Sequence, residues 1–219
     1  MVGIFQRKLT AAEIKEEARA LGADLVGIAD GEAMDRNPPD PANPRRPSDI
    51  TALDSGRVIV LAKRLSNGAA RIAGWGNRSK FYNDELALST LEEASLELVT
   101  FLEAAGYPAI IVPPTHVDPW RYRGDDPGQH METLISLPHA AVEAGLGTLG
   151  LNRQLLTPEF GPRVILTAVL CSIDVEPDSP MTEALCLGPS CGRCLATCPA
   201  DLSWPRRATK TRYWQERSP

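Results

Sequence analysis

Four of the chain's five cysteines lie in one stretch, CLGPSCGRCLATCPADL, between Cys186 and Cys198. Their spacing is Cys186-x4-Cys191-x2-Cys194-x3-Cys198, with Pro199 next. Thiolates are soft ligands that suit iron–sulfur clusters or zinc. The C-x2-C-x3-C-P portion matches the run of bacterial ferredoxins, in which the first gap is shorter than the one here. LGPS fills that longer gap, and Gly188 and Pro189 can turn the chain so that Cys186 still points inward. Zinc on the same thiolates is the competing reading, but zinc ribbons pair two separated C-x2-C knuckles. One compact run ending in Cys-Pro reads as a 4Fe–4S site on Cys186, Cys191, Cys194 and Cys198. No cysteine follows Cys198, so a second cubane finds no ligands in this sequence and Cys198 is free to complete the first. Cys171 stands apart at the end of an apolar run and reads as a small buried hydrophobe.

A second chemical stretch runs from His139 to Leu170, HAAVEAGLGTLGLNRQLLTPEFGPRVILTAVL. Gly145, Gly147 and Gly150 imitate a dinucleotide-binding glycine loop. Asp174 even stands where a ribose-binding acid would follow. That motif needs a strand before it, and the residues before Gly145 read as helix, so a nicotinamide site is rejected. The glycines are expected instead to let backbone approach a large flat ligand.

The histidines are His116, His130 and His139. His139 precedes the glycines, where it could touch a ligand or serve as a capping or core residue. His116 and His130 flank VDPWRYRGDDPGQ, either a substrate lid with Trp120, Tyr122 and Arg123 or a solvated loop. Arg163 could pair with an anionic substrate or a cofactor amide, or form a salt bridge to Glu159 or Asp174. The tail WPRRATKTRYWQERSP mixes basic and aromatic residues and leaves a nucleic-acid substrate open. A packed or frayed terminus is the simpler reading of it.

These residues need elements to position them, and the pattern supplies a mixed α and β chain of 219 residues, enough for one core and a small appendage. Thr10 to Leu21 reads as an amphipathic helix opened by a Thr10–Glu13 capping box and stopped at Gly22. Asp24 to Ala29 is a strand, and RVIVLAKRL is a second whose unbroken apolar run predicts cover on both faces. Arg36 to Pro47 is too rich in proline for either element. The longest helix spans Tyr82 to Ala105, with Leu91, Ala94, Leu98, Leu102 and Ala105 as its apolar stripe. PAIIVPP, a short helix near His139 to Ala144, and RVILTAVLC complete the alternation. Composition is that of a soluble globular protein, 43% hydrophobic and 23% charged. A net charge of −5 argues against a dedicated nucleic-acid binder. The apolar runs are too short to span a bilayer, no signal-peptide core opens the chain, and clustered thiols suit a reducing compartment, so a cytoplasmic location is expected.

AGLGTLGLN, LLTPEFGPR and the cysteine run together resemble the cobalamin-dependent iron–sulfur reductases, which include reductive dehalogenases and epoxyqueuosine reductase. FYNDELALSTLEEASLELVTFLEAAGYPA is similar to their helix before a Gly-Tyr turn. The resemblance is close over His139 to Leu170 and looser over Asp24 to Leu202. It implies a nitroreductase-like α/β (α+β) domain over residues 1–175 and a small ferredoxin-like lobe over 176–219. The first would hold base-off cobalamin, and the second would deliver electrons. No D-x-H-x-x-G run is present, in agreement with a base-off corrinoid. The residues matching the corrinoid-contacting segment are Gly145, Leu146, Gly147, Asn152, Leu156, Thr157 and Pro158.

Catalytic candidates by the same resemblance are Tyr82 as proton donor and Arg163 as the basic residue, and His139 joins them by its position before the glycines. Tyr82 could equally be a helix-start residue packed at a domain edge. The chain departs from its relatives in ligating one cubane, in reading QHMETLISLPHA where epoxyqueuosine reductases place an Asp, and in carrying Ile165 where a second basic residue often stands. The leading expectation is a reductase cleaving a small organic substrate, fed by a low-potential donor such as ferredoxin or flavodoxin. The alternatives are a non-catalytic 4Fe–4S electron-transfer or corrinoid-handling protein, and the same fold carrying flavin.

Overall fold

The computed structural model describes residues 6–42, 44–72, 78–112 and 134–198. The elements are α1 (Ala11–Ala20), β1 (Leu25–Asp30), α2 (Gly31–Arg36), α3 (Pro47–Ile50), β2 (Arg57–Arg64) and α4 (Arg78–Ala104). They are followed by β3 (Ala109–Val112), α5 (Leu137–Glu143), β4 (Thr148–Leu149), β5 (Leu155–Leu156), β6 (Val164–Cys171) and α6 (Arg193–Ala196). The expected mixed α and β class is what forms. Four strands make one antiparallel sheet in the order β1-β2-β6-β3, and β4 and β5 form a separate hairpin.

Alternation along the central strands divides the core into two layers. Ile59 and Leu61 of β2 join Val169 and Cys171 of β6 on one face, under the Ile14 and Ala18 side of α1 and the Leu91, Ala94, Leu98 and Leu102 stripe of α4. Val58, Val60 and Ala62 join Leu166, Ala168 and Leu170 on the other, against Met34 of α2, α5 and Leu155 of β5. Successive strand side chains point to opposite faces, so a strand apolar at every position must be covered twice.

The capping box at the start of α1 forms as read. Thr10 Oγ1 accepts from the Glu13 N–H at 3.2 Å, and Glu13 accepts from the Thr10 N–H at 2.8 Å. The Thr10 hydroxyl and amide hold the Glu13 carboxyl below its ordinary range.

The long helix begins four residues earlier than expected, at Arg78. Its 27 residues span about 40 Å, whereas the eight-residue β6 spans about 26 Å, so its first turns overhang the sheet. Leu88, Leu91, Leu98 and Leu102 are its buried leucines, and their burial contributes on the order of 10 kcal/mol. That grip starts at Leu88; Tyr82 and Leu86, nearer the N-terminus, are exposed.

α2, α3, β4 and β5 were not anticipated. Arg36 and Pro47, the limits of the proline-rich loop, instead close α2 and open α3. Asp30 caps α2, its carboxylate accepting from the N–H groups of Glu32 and Ala33. Among the described residues no helix is long and apolar enough to cross a membrane.

Candidate cluster and cofactor site

The glycine stretch is a compact hairpin. β4 and β5 pair Thr148 with Leu156 and Leu149 with Leu155. Between them the Gly150 N–H donates to the Gln154 carbonyl at 2.8 Å, and Arg153 takes a left-handed φ of 62°. Asn152 stabilises this turn, accepting from the Gln154 N–H and donating to Gln154 Oε1. Thr157 builds the next turn: its N–H and hydroxyl donate to the Gly161 carbonyl, and its Oγ1 accepts from the Phe160 N–H. Asn152 and Pro158 are exposed, Leu146 and Leu156 half-buried, and Thr157 buried.

The close approaches that require glycine are made by the chain itself. A Cβ on Gly147 would stand 2.0 Å from the Leu156 carbonyl oxygen. One on Gly145, whose φ is +71°, would stand 2.7 Å from the Ser179 carbonyl oxygen. The side-chain faces of these two glycines are therefore closed by β5 and by the segment leading to the cysteines, where the sequence had pointed to a flat ligand.

That leading segment is pinned along its length. Ile173 and Val175 are buried in the α1/α4 layer, and Arg57 Nε donates to the Val175 carbonyl at 2.8 Å. Asp178 then docks on the outer edge of β1. Its N–H donates to the Ile28 carbonyl at 2.7 Å, and its carboxylate accepts from the Ile28 N–H at 2.8 Å and pairs with Lys15. Finally the Leu185 N–H donates to Thr148 Oγ1 in β4 at 3.0 Å. Cys186 is the next residue, so the cysteine run starts from a fixed point on the glycine hairpin.

Within the run, Gly188 to Ser190 form a 3-10 turn, and Gly192, with φ 55°, opens α6. Cys191 is exposed, while Cys186, Cys194 and Cys198 are partly so. Among the described residues no three His, Cys, Asp or Glu side chains are gathered closely enough to hold a metal ion. The donor set itself, four soft thiols on one turn-rich segment, fits a 4Fe–4S cluster in kind and number.

Cys171 differs in every respect. It is fully buried in β6, and its thiol is pushed up to about 12, first by burial and then by the charge of Asp54. Alkylation of the native, metal-free chain near pH 8 is expected to label four of the five cysteines, with Cys171 reacting only in denaturant. Intact mass before and after unfolding reads the difference, and five labels on the native chain would contradict it.

The remaining candidates are spread more widely. His139 is buried in α5, its N–H donating to Ser136 Oγ at 3.4 Å. Arg163 is half-buried just before β6, and its carbonyl accepts from the Leu65 N–H at 2.9 Å. It forms neither of the expected salt bridges, to Glu159 or Asp174, among the described residues. Tyr82 is exposed at the overhanging end of α4. Because α4 runs on into β3, whose first residue pairs with Cys171, its N-terminal end lies toward the end of the sheet where β6 begins. Tyr82 and Arg163 thus share one end of the sheet, but α4 and the glycine hairpin pack on opposite faces. His116, His130, Trp120, Tyr122, Arg123 and the basic tail lie outside the described residues.

Comparison with known proteins finds relatives of two kinds. The chain is 28% identical over 214 residues to an epoxyqueuosine reductase of Gloeobacter violaceus, covering 87% of this chain and 60% of that protein. It is 27% identical over 237 residues to a tetrachloroethene reductive dehalogenase of Desulfitobacterium hafniense, covering 90% of this chain and 39% of that protein. The chain is a relative of the epoxyqueuosine reductases and the reductive dehalogenases. It spans less than two thirds of the length of each of these relatives. The fold is shared with a reductive dehalogenase described with a mechanism for B12-dependent dehalogenation, at TM-score 0.59 and 19% identity over 86% of this chain and 25% of that one. It is shared as well with an epoxyqueuosine reductase solved with an epoxyqueuosine-modified tRNA stem loop, at TM-score 0.54 and 22% identity over 87% of this chain and 52% of that one. No protein-family model matches the chain. The relatives lend the flavin alternative no support.

Thr148, Asp178 and Lys15 were not singled out in the sequence. Lys15 and Asp178 are 163 residues apart, and no spacing rule connects them.

Proposed function

We propose that the chain is the cofactor-holding and electron-relaying part of a corrinoid-dependent iron–sulfur reductase. On this reading a nitroreductase-like domain over residues 1–175 carries the cofactor and substrate, and a ferredoxin-like lobe over 176–219 carries the cluster. The observation that carries it is the hydrogen bond from Leu185 to Thr148, which ties the start of the cysteine run to the hairpin that resembles a corrinoid-contacting segment.

Cys186, Cys191, Cys194 and Cys198 would hold the 4Fe–4S cluster. Gly145, Leu146, Gly147, Asn152, Leu156, Thr157 and Pro158 would line the corrinoid. Their fit is one of kind: a two-stranded hairpin pairs with no further strand among the described residues, so its outer backbone groups suit a ring bearing peripheral amides. When bound, the cluster supplies single electrons and the corrinoid supplies low-valent cobalt for reductive bond cleavage. The protein's own part is placement. The hairpin turns, locked by Asn152 and Thr157, would fix the surface against which the corrinoid lies. Arg163 holds the anionic portion of a small organic substrate, and Tyr82 donates a proton from its phenol. His139 anchors the helix that leads into Gly145. Electrons would come from a low-potential protein such as ferredoxin or flavodoxin.

A second reading has the chain as an electron-transfer or corrinoid-handling protein serving a partner enzyme. The placement of Tyr82 on a helix across the sheet from the hairpin favours it. A nucleic-acid substrate enters by way of the epoxyqueuosine reductase relatives, one of which was solved with a tRNA stem loop.

Anaerobic reconstitution with iron and sulfide, with and without hydroxocobalamin, tests both. About four irons and four sulfides per chain are expected, with stoichiometric cobalt on the leading reading and iron alone for an electron carrier. A colourless protein carrying zinc would overturn both.

A further inference from the structure

The segment between β6 and Cys186 makes a series of fixed contacts, and these contacts differ in what they hold. Arg57 and Asp178 attach the segment to the main sheet, at Val175 and at the edge of β1. The last contact reaches the hairpin through a side chain: Thr148 Oγ1 accepts the Leu185 N–H at 3.0 Å. Six residues, SPMTEA, separate the Asp178 attachment from Leu185, and their freedom ends at that hydroxyl. Thr148 lies in β4 with its backbone committed to the pairing with Leu156, so its side chain is held on a rigid base. One peptide beyond this bond stands the first thiol of the run. The bond therefore links the start of the cysteine run directly to the glycine hairpin.

We propose that Thr148 is a positioning residue that registers Cys186, and with it the cluster, against the hairpin. This rests on the iron–sulfur reading of the cysteine run, and it assigns a function to a residue outside the proposed ligand set. A hydroxyl at this position is required as an acceptor. Serine keeps the oxygen, whereas valine keeps the shape and removes it, leaving the Leu185 N–H with no acceptor at Thr148.

The test compares Thr148→Val and Thr148→Ser in the full chain with two readouts. Amide exchange at Leu185 in the metal-free protein is expected to quicken about fivefold in Thr148→Val and to stay unchanged in Thr148→Ser. Loss of the cluster to an iron chelator, followed anaerobically by its visible absorption, is expected to follow the same order and about the same factor. Thermal unfolding of the metal-free chains guards against a general defect: a melting temperature lowered equally by both substitutions, with cluster loss to match, overturns the assignment. So does a Thr148→Val chain that exchanges Leu185 and retains iron as the parent does. If the parent chain takes up no iron, the iron–sulfur reading fails first; unchanged Leu185 exchange in Thr148→Val would then separately dismiss the hydroxyl contact, and quickened exchange would leave Thr148 without a cluster to position and so defeat the proposal as well.

Discussion

Cys194→Ser is expected to strip the reconstituted chain of its iron. The substitution exchanges a soft thiolate for a hydroxyl that does not ionise near neutral pH, and a cubane held by four thiolates from one chain has no spare ligand. Bound iron and visible absorption should fall by at least about tenfold, whereas a zinc site on the same residues would never have shown the absorption. Cys171→Ala is the control. Cys171 is buried in the α1/α4 layer, so its loss lowers stability by about 1 kcal/mol and leaves the iron content intact. Equal iron in the Cys194→Ser chain and its parent would remove the cluster assignment, and a loss of iron in Cys171→Ala would transfer a ligand role to the buried thiol.

The second large effect is expected at Gly147. A methyl group there would lie 2.0 Å from the Leu156 carbonyl oxygen and 2.9 Å from its carbon. The obstructing atoms are backbone in the paired strand, so nothing can swing aside, and the hairpin must separate. Gly147→Ala is expected to cost about 3 kcal/mol in urea unfolding, at the upper end for an overpacked interior. It should also lower hydroxocobalamin uptake at least tenfold if the hairpin lines the corrinoid. Gly161→Ala makes a sharp contrast. Gly161 has a φ of +58° but nothing within 4 Å of an added Cβ, so only backbone strain of about 1 kcal/mol is expected. Equal stabilities for the two variants would show that the approach of β4 to β5 is looser than described.

These expectations also separate two meanings of a glycine. In the sequence, Gly145 and Gly147 pointed to backbone kept bare for a ligand. In the fold, Ser179 and Leu156 occupy the space a side chain would take. A glycine states that something comes close, and it carries no mark of whether that neighbour is a cofactor or another part of the same chain. Asn152 and Thr157 teach the same lesson: both have polar side chains in the matched segment, and both use them to close turns.

What the sequence by itself determined is whatever depends on neighbours within a few residues. The capping box of Thr10 and Glu13, the doubly covered strand over Arg57–Arg64 and the Leu91 to Leu102 stripe all follow from local spacing, because helix and strand geometry are periodic or short-ranged. The hairpin of β4 and β5 escaped because strands of two residues hold too few side chains to display a period. The tertiary structure alone decided the antiparallel order β1-β2-β6-β3, the docking of Asp178 on Lys15 and Ile28, and the bond from Leu185 to Thr148. The strand order rests on backbone pairing that any sequence can make, and the other two rest on a few polar contacts between distant residues; one hydroxyl or carboxylate at such a distance leaves no pattern along the sequence until the sheet brings its partner within reach.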